Sequence, residues 1–177
     1  MNEYPNKNNH KRIVVMKRNK TQKKFLRITL IINLVILIPL LIRKPPVKDW
    51  VIVYLFNAVT NGLIDNVLSK HKIVKYPVRL FSKSFDTHIL FDFFLYPTFT
   101  IFYNQITEKD KIFPIIYKLI FITIPPFFIE LWAERKTDLI DWSRKWKWYH
   151  TFFGLILKSL LTRMVIGVVK KVDNQIN

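Results

Sequence analysis

Five apolar runs, each too long for an ordinary water-soluble core, constrain this chain more than any other feature. The first, Phe25 to Ile42, reads FLRITLIINLVILIPLLI and carries a single charge, Arg27. At about 1.5 Å per residue it reaches the minimum length for crossing the hydrocarbon core, for which roughly 17 to 25 residues are needed. Further runs occupy Trp50 to Leu68, His88 to Ile106, Ile112 to Ala133 and Thr151 to Val169. Five such runs in 177 residues leave only short connections. In lipid every backbone polar group must be satisfied internally, which helices do for themselves. The pattern therefore predicts an all-α fold, a polytopic membrane helical bundle of about five transmembrane helices. The first span is the shortest and the second and third are the most polar, so four spans are the alternative. Half of the residues are hydrophobic and cysteine is absent, which excludes a disordered chain and a disulfide scaffold.

Orientation follows from Lys and Arg, which stay on the cytoplasmic side of a membrane. With the N-terminus inside, the inner segments hold nineteen and the outer ones seven, so the N-terminus is expected in the cytoplasm and the C-terminus outside. The expected layout is a basic, disordered cytoplasmic tail over 1–24, a transmembrane domain over 25–169 and a short extracytoplasmic tail over 170–177. No small-residue cleavage site follows the first run, so it is expected to remain as an anchor. The eight Lys/Arg of the tail predict contact with the lipid bilayer, anionic lipids in particular, rather than with nucleic acid. Trp50 on the outer side, and Trp132, Trp142, Trp146 and Trp148 on the inner, suit the headgroup layer, where amphipathic rings settle. The alternation of cations and aromatics in DWSRKWKWYH, Asp141 to His150, has the same explanation.

Polar residues inside spans are candidate sites because they are costly in lipid. Asn57, Asn61 and Asp65 recur every four residues and so share one helical stripe. His88, Asp92 and Tyr96 repeat that spacing, Glu130 and Glu134 are again four apart after Pro125 and Pro126, and His150 stands at the mouth of the fifth run. Alternating topology puts Asp65, His88, Asp92, Glu130, Glu134 and His150 at similar depth near the cytoplasmic face. Facing stripes would join them into one polar pocket binding a cation or a lipid headgroup. Mixed carboxylate and imidazole ligands suit a divalent metal, with His88, Asp92, Glu130, Glu134 and His150 as candidates, and a metal-dependent enzyme acting on a lipid is the second reading. Closely spaced carboxylates also suit proton or cation transport. A structural or assembly subunit, its polar residues serving as interhelical glue, needs no ligand. Lys158 and Arg163 in the fifth run are expected to snorkel, to pair with an acid such as Asp92 or Glu130, or together to hold an anion.

There is no P-loop, GxGxxG, GxSxG or cysteine nucleophile, and Ser82 and Ser84, near Asp86 and His88, form no recognisable catalytic arrangement. The segments KSFDTHILFDFFLYPTFTIFYNQ, Lys83 to Gln105, and IELWAERKTDLIDWSRKWKWYHTFF, Ile129 to Phe153, carry the elements SFDTH, LYPT, YNQ and TDLI. In these the chain resembles an uncharacterised family of small multi-pass membrane proteins of spore-forming Gram-positive bacteria, over roughly the C-terminal two thirds. The resemblance implies an integral protein of the cell membrane and supplies no reaction, ligand or protein partner.

Overall fold

The computed structural model describes residues 7–82 and 85–176. Its main elements are helices α1 (Lys7–Ile42), α2 (Val47–Lys70), α3 (Tyr96–Ile106), α4 (Ile112–Lys136) and α5 (Trp148–Ile176). Two short strands, β1 (Val74–Lys75) and β2 (Asp141–Trp142), sit in connections, and a π-helical segment, Leu90–Leu95, runs directly into α3. Four stretches are long and apolar enough to cross a membrane: Val15–Ile42, Val47–Lys70, Ile112–Lys136 and Trp148–Gln175. This is an all-α helical bundle and a membrane protein. Large apolar side chains such as Val35, Phe113, Phe121, Leu157 and Val168 lie exposed on its outside, as a lipid-facing surface requires.

The third helix is different. Its π and α parts together make it shorter than the other four, and it buries Asp92, Thr98, Thr100, Asn104 and Gln105. It packs against α1, α2 and α5, whereas α4 packs mainly on α5. Pro97 accounts for the π segment. Its ring crowds the carbonyl four residues back and it lacks an amide proton, so a wider turn relieves the clash. The Tyr96 amide accordingly bonds the Phe91 carbonyl, five residues back.

Two sets of contacts mark the two ends of the bundle. At one, β1 pairs antiparallel with β2, Val74 opposite Trp142, and Arg18 of α1 meets Asp138 at 2.6 Å. At the other, Arg43 donates to Gln105 Oε1 at 2.6 Å, and Lys170 pairs with Asp49 at 3.2 Å and with Glu108. Arg163 donates to the Thr107 and Glu108 carbonyls at 2.6 and 3.1 Å, capping the C-terminus of α3. Successive helices thus alternate in direction, including the short third one.

Three expectations change. Residues 7–24 belong to α1 rather than to a disordered tail, and Arg18 and Gln22 anchor that extension to Asp138. Residues 170–176 continue α5, held by the Lys170 pairs and by Lys48 with Asp173 at 2.6 Å, rather than forming a free tail. Trp50 is fully buried, not in the headgroup belt: its Nε1 donates to the Lys44 carbonyl at 2.6 Å and Lys170 lies over its ring.

Because the chain has no cysteine, single substitutions report topology cleanly. Lys72→Cys and Arg144→Cys should react with an impermeant maleimide only from the cytoplasmic side, and Lys44→Cys and Lys109→Cys only from the other. Labelling of all four from one side would overturn the alternating arrangement.

Candidate functional site

The α2 stripe faces inward: Asn57, Asn61 and Asp65 are all buried. Asn61 Nδ2 donates to the Asp92 carbonyl at 3.0 Å, and Asn57 Oδ1 accepts from Thr162 of α5 at 3.1 Å. Asp65 is held from both sides. Its Oδ1 accepts the Tyr76 hydroxyl at 2.5 Å and its Oδ2 accepts the His88 amide at 3.1 Å. The Tyr76 and His88 rings meet edge to face at 5.2 Å. Burial, reinforced by the Asp65 carboxylate, pushes the Tyr76 phenol well above its usual range, so it stays a donor.

Asp92 completes this group. Only 3% of it is exposed, Asp65 is the acid that acts on it most strongly, and its Oδ2 is enclosed with no donor aimed at it. A contact between two carboxyls is a hydrogen bond only when one of them carries a proton. Lys158 of α5 acts on Asp92 electrostatically. Its Nζ lies 3.5 Å from the Asn57 carbonyl and 4.6 Å from the centroid of the Tyr96 ring. The Tyr96 hydroxyl in turn meets Ser159 Oγ at 3.0 Å.

Glu130 and Glu134 lie elsewhere, between α4, the β2 connection and the start of α5. Glu130 Oε1 accepts from Trp142 Nε1 at 3.2 Å and from Thr151 Oγ1 at 3.1 Å. Thr151 Oγ1 itself accepts from Trp146 Nε1 at 3.0 Å, and the Trp142 and Trp146 rings stack at 4.5 Å with planes 6° apart. Glu130, Glu134, Trp142, Trp146, Lys147 and Thr151 help line a cleft of about 10 Å³. His150 is exposed, with its Nδ1 accepting the Lys147 amide at 3.0 Å and its ring 5.0 Å from that of Trp146.

The six residues expected in one pocket therefore divide. Asp65, His88 and Asp92 come together, Glu130 and Glu134 form a second group, and His150 stays on the surface. The stripe of α4 turns toward α5, while those of α2 and the third helix face each other. Among the described residues, no three His, Asp or Glu side chains converge as metal ligands would. Arg163 is committed to the end of α3, so it forms no joint anion site with Lys158. Tyr76 gave no sequence signal, lying in a connection. Ser159 and Thr162 did, since with Lys158 they place polar atoms on neighbouring positions of one helix.

No family model, curated protein or solved structure matches the chain.

Tyr76→Phe removes a donor from a buried carboxylate and should cost about 1–3 kcal/mol. Thermal unfolding in detergent would show this as a lowered midpoint, and an unchanged midpoint would mean that Asp65 does not depend on Tyr76.

Proposed function

We propose that this chain is a multi-pass protein of the cell membrane, its N-terminus cytoplasmic, that binds a small cation, the proton, at the Asp65–Asp92 pair. The observation that carries this reading is the enclosed Asp92 Oδ2 beside a second carboxyl, with no donor of its own. Ionised groups inside a membrane protein are expensive and concentrate where ions or protons are handled. Two carboxyls in contact do not both ionise cheaply, and one shared proton supplies the missing donor. Lys158 then balances the single remaining negative charge, leaving the group neutral as a whole. Asp65 is the better hydrogen-bonded member, because its two oxygens accept from the Tyr76 hydroxyl and the His88 amide. Asp92 is the member that takes the proton.

The inner end is the natural access route. Asp65 lies in the last two turns of α2 and Asp92 in the first turn of the third helix, next to the connections that hold the excess of Lys and Arg. Basic residues there also draw anionic lipid to that face. The resemblance to small multi-pass proteins of spore-forming bacteria supports the same membrane.

Proteoliposomes carrying an internal pH dye provide the test. Under an imposed potassium diffusion potential the wild type should move protons at least tenfold faster than empty vesicles, and Asp92→Asn, which keeps the shape, should return the rate to background. Wild-type flux at background, or full flux in Asp92→Asn, would overturn the reading.

A further inference from the structure

The Glu130–Glu134 cleft has a separate chemistry. Among the described residues neither carboxylate takes part in an ion pair, although the chain carries 29 Lys and Arg. Both hydrogen bonds to Glu130 fall on Oε1, so Oε2 keeps its lone pairs for another donor. Glu134 follows one helical turn later, on the same face of α4. The wall is rigid before any ligand arrives: Trp146 donates to Thr151, Thr151 donates to Glu130, Trp142 donates to the same oxygen, and the two indoles stack.

Size limits what can enter. A space of about 10 Å³ has room for one water-sized group. A primary ammonium is of that size and brings three donors to the carboxylates. A trimethylammonium is several times larger. It also finds no aromatic sandwich here, because Trp142 and Trp146 are already face to face. Lys147 lines the same cleft, a cation suited to a phosphate next to the ammonium. Trp132 and Trp148 are half exposed nearby on α4 and α5, rings that sit at headgroup level in a membrane.

We infer that this cleft seats the headgroup of an ethanolamine phospholipid, its primary ammonium on Glu130 and Glu134 and its phosphate on Lys147. The site favours the primary ammonium over the N-trimethylated headgroup, which brings no N–H donor to the carboxylates, and it shares no residue with the Asp65–Asp92 pair. Cleft and headgroup are complementary in charge along their length, with the acids deeper and Lys147 at the loop.

The methylation series of the headgroup tests this directly. Full-length protein in phosphatidylcholine nanodiscs would be titrated with phosphatidylethanolamine and its mono- and dimethyl forms, following lipid retention by native mass spectrometry. Retention should fall at each methylation and be at least tenfold weaker for phosphatidylcholine. Glu134→Gln and Glu130→Gln should each lose the preference while keeping the wild-type unfolding midpoint in pure phosphatidylcholine. Lys147→Met should weaken retention of every phospholipid and leave the methylation order intact. Free ethanolamine phosphate, added as competitor, should displace the lipid at high excess, and no displacement would assign retention to the acyl chains and overturn the inference. Equal retention of ethanolamine and choline lipids, or an unchanged preference in both Gln variants, would overturn the inference. A lowered midpoint in pure phosphatidylcholine for both variants would assign the carboxylates to folding and overturn it as well.

Discussion

A helix that carries Asp92, Asn104 and Gln105 cannot be left facing hydrocarbon, and most of this architecture follows from covering it. The third helix is too polar for lipid and too short to be an independent span, so α1, α2 and α5 enclose it. Most of its polar side chains are satisfied locally or by those neighbours, Asp92 Oδ2 and Asn104 Oδ1 excepted. Thr98 meets Asn33 of α1 at 3.2 Å, Gln105 bonds the Leu40 carbonyl at 2.7 Å, and Asn61 reaches the Asp92 carbonyl. Arg163 closes its far end by taking up carbonyls that no further helical turn would satisfy. The apolar residues that remain on the outer four helices are then free to face lipid, which is where their exposed Ile, Val, Leu and Phe side chains lie.

Acidic residues are scarce, twelve against twenty-nine cations, and their placement separates structure from chemistry. Asp49, Glu108, Asp110, Asp138 and Asp173 each meet a Lys or Arg, tying α1, α2, α4 and α5 together at the two ends of the bundle. Asp65, Asp92, Glu130 and Glu134 do not appear in such pairs. In a chain with this excess of positive charge, unpaired acids near a bundle end are a selective feature. They keep their acceptor capacity for something other than a neighbouring Lys or Arg.

Spacing in the sequence located much of this. The four-residue repeat of Asn57, Asn61 and Asp65 marked a buried stripe, and Asp92 was placed at the same depth through alternating topology. The division into two groups was not legible, because periodicity gives the face of a helix but not the neighbour toward which that face turns. Tyr76 was out of reach for a different reason: it owes its place to the antiparallel pairing of two connections that are distant in sequence. The aromatic run after α4 was read as a membrane belt. Trp132 and Trp148 fit that role, but Trp142 and Trp146 spend their indole N–H groups on Glu130 and Thr151, a use that composition alone cannot distinguish. Trp50 shows the same limit, since a ring at the start of a span can cap a buried ion pair as readily as face a headgroup.

Both acidic groups meet on α5. Thr151 anchors Glu130 at its first turn, and Lys158 stands seven residues on, about two turns or ~10 Å along the axis and on the same side. A headgroup seated on Glu130 and Glu134 bears on the wall that positions Thr151, and so on the register of α5 against α4. Lys158, on the same helix, acts on Asp92. Lipid at the surface and proton in the interior would then act on one rigid helix from two points along it, and coupling between them requires only that α5 shift as a unit.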